Sequence, residues 1–165
     1  MMNFTEWLSE NKRGTYVGLK FDSDSTMFLK SFMIENSIPN RVPSDKLHVT
    51  LLYSRKYLPD FKARGKIEPI NIKPLEFNVW DSNGENDTKT KCLVLKFESK
   101  ELKDLHNEYM DEYKATFDYP EYQPHVTLSY NIENYDAREL TLPKRTLQLD
   151  YEYKELLNLN WASKL

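Results

Sequence analysis

A chain of 165 residues, 39% of them hydrophobic, has room for one compact domain, which we expect to span residues 1–165. The net charge of −3 argues against a protein that coats long nucleic acid by counterion release. The single cysteine excludes an intramolecular disulfide, and no stretch approaches the roughly 18 apolar residues of a membrane helix. Residues 1–11 carry Glu6 and Glu10 instead of a basic segment and an apolar run, so we expect no signal peptide. These features favour a soluble, cytoplasmic protein without a membrane partner.

The first predicted elements are a strand, a helix and a second strand. Residues 15–21 alternate apolar and polar side chains, as a half-buried strand does. A helix is expected next, with Asp24 or Ser25 as its N-cap, and it should end at residues 36–39. Its apolar side chains are Met27, Phe28, Phe32 and Met33. The second strand is predicted over residues 46–53.

A connecting region follows, and one strand is predicted within it. Residues 39–43 and 59–74 contain prolines and are interpreted as loops or sheet edges. Residues 75–80 alternate like a strand. Residues 81–87 contain the sequence Asn83-Gly84, which is typical of an exposed turn joining two strands.

The order of strand, helix and strand then returns. Residues 91–97 predict a strand, Ser99 is placed to cap a helix, and residues 122–130 predict the matching second strand. The apolar stripe expected on this helix is Leu102, Leu105, Tyr109, Met110, Tyr113 and Phe117. Residues 146–161 contain two short β-like runs, Leu147-Gln148-Leu149 and Leu157-Asn158-Leu159.

The two units, at about 15–54 and 91–130, are copies of one pattern. Both first strands end in Leu-Lys-Phe, and both second strands contain His-Val-Thr-Leu at nearly the same spacing. This agreement indicates a gene duplication or strong convergence on a two-fold site. We therefore expect an α+β fold of two pseudo-two-fold lobes, in which two antiparallel sheets face a central cleft and the helices lie on the outer faces.

Each histidine of the repeated tetrapeptide shares a strand face with the threonine two positions later, because side chains alternate along a strand. The residues predicted on this face are His48, Thr50 and Leu52 in the first copy and His125, Thr127 and Ser129 in the second. The opposite face carries Val49, Leu51 and Tyr53, and Val126, Leu128 and Tyr130. The second set belongs against the helices, so the histidines and threonines should face the cleft.

Two His-x-Thr pairs facing one cleft have the chemistry to cleave a phosphodiester. Imidazole, with an ordinary pKa near 6.5, can take a proton from the nucleophile or give one to the leaving oxygen. Each threonine hydroxyl can donate to a non-bridging phosphate oxygen, where negative charge develops. We therefore predict that His48, His125, Thr50 and Thr127 are catalytic.

Other kinds of site have less support. The two histidines lack Asp, Glu or Cys at ligand spacing, which argues against zinc, so we expect neither a metal nor a cofactor. Phosphate loops of the Gly-x-Gly-x-x-Gly or Gly-x-x-x-x-Gly-Lys type and the Gly-x-Ser-x-Gly elbow are missing. His106 lies beside the apolar stripe and has no threonine two positions later, so we interpret it as structural or exposed.

The two His-x-Thr motifs and the repeated strand-helix-strand units resemble those of the 2H phosphoesterase superfamily, whose members have a duplicated, bilobal α+β fold. The resemblance implies that His48 and His125 act as acid and base and that Thr50 and Thr127 bind phosphate. Size, tyrosine content and the C-terminal stretch also resemble phage anti-CBASS nucleases. Such enzymes degrade the cyclic di- and trinucleotides that bacteria use as antiviral alarm signals, which would place the protein in the host bacterial cytoplasm.

Four further residues are candidates for substrate binding. Tyr16 and Trp80 lie on predicted non-core strand faces, where an aromatic ring either stacks a base or covers a sheet edge. Lys20, on the face of Tyr16, is placed to offset phosphate charge. Glu152 either accepts a hydrogen bond from a base amino group or is an exposed carboxylate.

Three functions remain open from the sequence. The first is an enzyme that opens 3′–5′ bonds of cyclic di- and trinucleotides through the adjacent 2′-hydroxyl. The second is a phosphodiesterase for 2′–5′ oligonucleotides or for RNA 2′,3′-cyclic ends. The third is a sponge that binds cyclic nucleotides without cutting, against which two complete His-x-Thr pairs argue. No protein partner is inferred.

Overall fold

The computed structural model describes residues 13–83 and 89–157, and in these ranges the chain forms six strands and two α-helices. In chain order they are β1 (Gly14–Phe21), α1 (Ser23–Glu35), β2 (His48–Ser54), β3 (Gly65–Asn83), β4 (Lys89–Glu98), α2 (Lys100–Tyr113), β5 (His125–Ser129) and β6 (Leu147–Leu157). The predicted α+β class is confirmed. Neither of the two described helices is long and apolar enough to cross a membrane.

The strands form one closed antiparallel ring in the order β1-β2-β5-β4-β3-β6. The strands expected as two facing sheets are its two halves, β6-β1-β2 and β5-β4-β3, and hydrogen bonds join these halves on both sides. One junction pairs β3 with β6, and the other pairs β2 with β5 at Val49 and Val126. The two strands that carry His-Val-Thr-Leu are therefore neighbours, which brings the two motifs together.

One large apolar core connects both units. The strands contribute alternate side chains that are fully buried, among them Val17, Val49 and Val126, and the helices add Leu29 and Leu102. Burying each such side chain stabilises the fold by about 1.5–3 kcal/mol. Because the core takes one face of β2 and β5, the residues between the buried ones are left on the opposite face.

The two helices begin at capping residues, one of which differs from the prediction. Ser99 caps α2, as predicted, and its hydroxyl accepts from the Leu102 amide. The cap of α1 is Asp22 rather than Asp24 or Ser25, because Asp22 still has the extended backbone of the preceding strand and its carboxylate accepts from the Ser25 amide at 2.8 Å. The last residue of helix α2 is Tyr113, and its C-cap, Lys114, has a left-handed backbone conformation. Phe117 therefore lies beyond the helix and is not part of its apolar stripe.

Strands β3 and β6 are longer than predicted. The interpretation of residues 59–74 as loops or sheet edges is wrong from Gly65 onward, where β3 begins. Strand β3 accommodates its prolines because its pairing is irregular beside them. The register shifts between Lys66 and Ile70, which flank Pro69, and again just after Pro74. The two short runs predicted near the C-terminus belong in part to one strand, β6; residues 158–161 lie outside the described residues, as do residues 84–87 of the predicted turn.

Matching irregularities occur in β2 and β5 immediately after the threonine of each His-x-Thr motif. Thr50 pairs with Gly18 while Leu52 pairs with Val17, so Leu51 is an extra residue in β2. Leu128 is the equivalent extra residue in β5, between the paired residues Thr127 and Ser129. A bulge of this kind reverses the alternation beyond it. The face predictions for Leu52, Tyr53, Ser129 and Tyr130 are therefore wrong: Leu52 and Ser129 are fully buried, whereas Tyr53 packs with Tyr16 and Tyr130 is exposed.

Candidate active site

The two motif histidines are held in the same way. His48 and His125 are the first residues of β2 and β5, and the Nδ1 atom of each lies 2.8 Å from the backbone carbonyl oxygen two residues earlier, that of Lys46 or Gln123. A neutral imidazole that donates from Nδ1 carries its lone pair on Nε2. The fold therefore fixes both rings with Nε2 as the atom that can exchange a proton with a substrate.

The surroundings of the two histidines differ. The Trp80 ring packs edge-to-face against His125, with 4.7 Å between ring centroids. Burial lowers the pKa of His125 below its ordinary value; hydrogen bonding to the Gln123 carbonyl opposes this, and the positive charges of His48 and Lys96 lower the pKa further. His125 is consequently held in its neutral form at lower pH than a free imidazole, as a general base requires.

Each motif threonine has a tyrosine beside it. The Tyr16 hydroxyl lies 2.7 Å from Thr50 Oγ1, and Tyr130 lies near enough to Thr127 for the threonine side chain to influence the pKa of the phenol. Tyr16 is only 9% exposed, and burial raises its pKa well above the ordinary value, so its phenol stays protonated. Tyr16 therefore lies on the predicted face, but as a hydrogen-bond partner of Thr50 and not as an open platform for a base.

Each half of the site also has a lysine opposite its histidine. Lys20 pairs with His48 across β1 and β2, and Lys96 pairs with His125 across β4 and β5. Lys96 is engaged by Glu76 at 3.1 Å, whereas the Lys20 ammonium lies 5.4 Å from the ring centre of Tyr153. The sequence prediction named Lys20 and missed Lys96, although both belong to the repeated Leu-Lys-Phe.

The structure does not bring Glu152 to this site. Its side chain is fully buried and accepts hydrogen bonds from the Tyr109 hydroxyl at 2.9 Å and from Arg64, through the guanidinium and the backbone amide. Glu152 pairs with Leu19, so it lies on the core side of β6. The prediction that it contacts a base is thus corrected: its acceptor sites are used inside the protein.

Tyr153, the next residue along β6, lies on the side of the histidines and was missed by the sequence prediction. It packs over Gly18, where an added Cβ would lie 2.5 Å from the tyrosine ring. Its ring is also 6.1 Å from that of Tyr16. Because side chains alternate along a strand, the residue after Glu152 lies on the opposite face of β6, and this alternation is the sequence signal that could have identified Tyr153.

His106 is structural. It is buried, stacks on Tyr122 at 4.2 Å, and its Nδ1 lies 2.7 Å from the carbonyl oxygen of the bulge residue Leu51. The Tyr122 hydroxyl donates to the adjacent carbonyl of Thr50 at 2.6 Å. These two side chains therefore hold the bulge that orients the first motif.

The residues around the histidines do not resemble a metal centre. Within residues 13–83 and 89–157, no group of three or more His, Cys, Asp or Glu side chains is arranged to hold a metal ion. The expectation of a metal-free site stays a prediction, and a chelator tests it.

The fold is similar to that of E. coli LigT, a 2H phosphoesterase. The apo crystal structure of LigT gives a TM-score of 0.59 at 13% sequence identity, covering 88% of this chain and 87% of that one. The crystal structure of LigT complexed with phosphate gives a TM-score of 0.55 at 12% identity, covering 87% and 86%. The chain therefore has a 2H phosphoesterase-like fold, which confirms the fold predicted from the two motifs.

Sequence comparisons define the family within this class. The family described as anti-CBASS protein Acb1 matches residues 13–164. Anti-CBASS protein Acb1 of Salmonella phage S16 is 39% identical over 166 residues, covering 100% of this chain and 99% of the relative, and that of Enterobacteria phage T4 is 35% identical with the same coverage. The chain belongs to the anti-CBASS protein Acb1 family, as the predicted resemblance indicated.

Proposed function

We propose that the protein is a phosphodiesterase that cleaves the 3′–5′ bonds of cyclic di- and trinucleotide signals and thereby blocks CBASS defence in the host bacterial cytoplasm. The observation that carries this proposal is the pair of His-x-Thr motifs on adjacent strands, with each histidine tied through Nδ1 to a backbone carbonyl. Binding alone requires no such pair of titratable groups, which favours an enzyme over a sponge. LigT has been crystallised with phosphate, so this fold accommodates the group to be cleaved.

The reaction follows from the placement of these groups. One histidine takes the proton of the 2′-hydroxyl, the 2′-oxygen attacks the adjacent phosphorus, and the other histidine protonates the departing 5′-oxygen. The product carries a 2′,3′-cyclic phosphate, which water can then hydrolyse. Proximity of the 2′-hydroxyl supplies much of the acceleration. Thr50 and Thr127 donate to the non-bridging oxygens as their charge increases.

Two residues beside the motifs are suited to hold the rest of the substrate. Trp80 is half-buried against His125, and a base stacked on its remaining surface would contribute about 1–3 kcal/mol. Lys20 is exposed beside His48 and can offset phosphate charge. The two halves of the site thus present an aromatic surface on one side and a cation on the other.

The function is tested by incubating the purified protein with cyclic dinucleotides and trinucleotides, 2′–5′ oligonucleotides and RNA with 2′,3′-cyclic ends, each with and without excess chelator. We expect cleavage of the cyclic oligonucleotides at a rate that the chelator leaves unchanged. A 2′-deoxy cyclic dinucleotide should bind and not be cut. Preference for 2′–5′ or RNA-end substrates would favour the second function, and binding without cleavage the sponge. Loss of activity that zinc or manganese restores would contradict the metal-free mechanism.

A further inference from the structure

A buried tyrosine hydroxyl lies beside Thr50 in the site. Thr50 Oγ1 is 2.7 Å from the Tyr16 hydroxyl, and either oxygen can be the donor in this hydrogen bond. Tyr16 is enclosed by aromatic rings, with those of His48, Tyr53 and Tyr153 at 6.0, 6.4 and 6.1 Å. This enclosure fixes the position of the Tyr16 oxygen.

The direction of this hydrogen bond decides what Thr50 can do. A hydroxyl donates one hydrogen bond, so a Thr50 proton directed to Tyr16 would not reach a phosphate. Burial keeps the Tyr16 phenol protonated, and its proton can be donated to Thr50 Oγ1.

We propose that Tyr16 is a positioning residue that, held in place by the packing of Tyr153 against its ring, directs the Thr50 hydroxyl proton toward a non-bridging oxygen of the scissile phosphate. This inference rests on the proposed function and deepens it. The space for Tyr153 exists because residue 18 is a glycine, since any Cβ there would meet the tyrosine ring at 2.5 Å. In the other half, the tyrosine beside Thr127 is Tyr130, which is 44% exposed whereas Tyr16 is 9% exposed, so the two halves differ in how firmly their threonine is directed.

The test compares wild type, Tyr16→Phe, Thr50→Ala and the double variant on a cyclic dinucleotide. Tyr16→Phe keeps the ring and removes the hydroxyl; we expect kcat to fall about 3–10-fold, the worth of one hydrogen bond, with KM changed less than about twofold. In the Thr50→Ala background the same substitution should change kcat less than about twofold. Tyr135→Phe, which removes a hydroxyl bonded to the Asn36 carbonyl, is the control and should keep the wild-type rate.

A second readout separates positioning from general loosening. Replacing either non-bridging oxygen of the scissile phosphate by sulfur gives two diastereomers, and Thr50→Ala should reduce the rate penalty of one of them. Tyr16→Phe should reduce the penalty of that same diastereomer. Equal kcat for wild type and Tyr16→Phe, or an undiminished penalty, overturns the inference alone. A wild-type protein that cuts no cyclic oligonucleotide overturns the proposed function, and the inference with it.

Discussion

Two histidines in identical tetrapeptides differ in their neighbours. Trp80 covers one side of His125, and Lys96 lies across the strand pair from it. Burial lowers the pKa of His125, and the charges of His48 and Lys96 lower it further, which favours the neutral form that a base requires. We therefore propose that His125 accepts the proton of the 2′-hydroxyl and that His48 is the acid that protonates the leaving oxygen.

This division of roles predicts selective rescue. A substrate with sulfur in place of the bridging 5′-oxygen has a leaving group that needs no proton. We expect His48→Ala to come within about 10-fold of wild type on this substrate, while His125→Ala stays about 10²–10⁴-fold slower. The rates are measured by chromatography on the oxygen and sulfur substrates in parallel. Rescue of His125→Ala instead would reverse the assignment.

At the scale of the strand, the sequence predicted the face that carries the histidines and threonines, assigned Tyr53 and Tyr130 to the wrong faces, and missed Tyr153. The period of two places His48 with Thr50 and His125 with Thr127 correctly on their strands. It fails for Tyr53 and Tyr130 because an extra residue follows each threonine, and no local sequence signal marks such a bulge. The bulge depends on contacts from distant residues, which a single-strand pattern cannot contain.

His106 is one of those contacts, and its removal should weaken the bulge in β2. His106→Ala leaves the buried Leu51 carbonyl without this donor and removes the ring stacked on Tyr122, which should lower the free energy of unfolding by about 2–4 kcal/mol. His106→Asn keeps a donor near the Nδ1 position and should lose less. Urea denaturation measures both; equal losses would show that the hydrogen bond contributes nothing.

The same histidine makes stability depend on pH. Burial lowers the pKa of His106 in the folded protein below the ordinary value of 6.5, so the unfolded chain takes up a proton first as the pH falls. The free energy of unfolding should therefore be independent of His106 well above pH 6.5 and decrease as the pH drops through that value. His125 contributes a decrease of the same sign in both proteins. Because asparagine does not titrate, the free energy of unfolding of the His106→Asn variant should decrease less between pH 8 and 5.5 than that of wild type.

At the scale of the whole molecule, the sequence indicated the repeat and the two motifs, and the closed ring explains why they form one site. Pairing of β2 with β5 at Val49 and Val126 connects the two units. The same long-range packing explains the error at Glu152, whose partners Arg64 and Tyr109 come from other parts of the chain. A carboxylate between two tyrosines looks exposed in the sequence, and only the assembled ring shows that it is enclosed.

The two-histidine mechanism is tested most directly by the rate at which folded wild-type, His48→Ala and His125→Ala proteins cleave a cyclic dinucleotide without added metal. Each substitution should lower the rate by about 10²–10⁴. The double variant should lose far less than the product of the two, because acid and base act in one step. Circular dichroism confirms that the variants remain folded. Near-wild-type rates for both folded single variants would contradict the two-histidine mechanism.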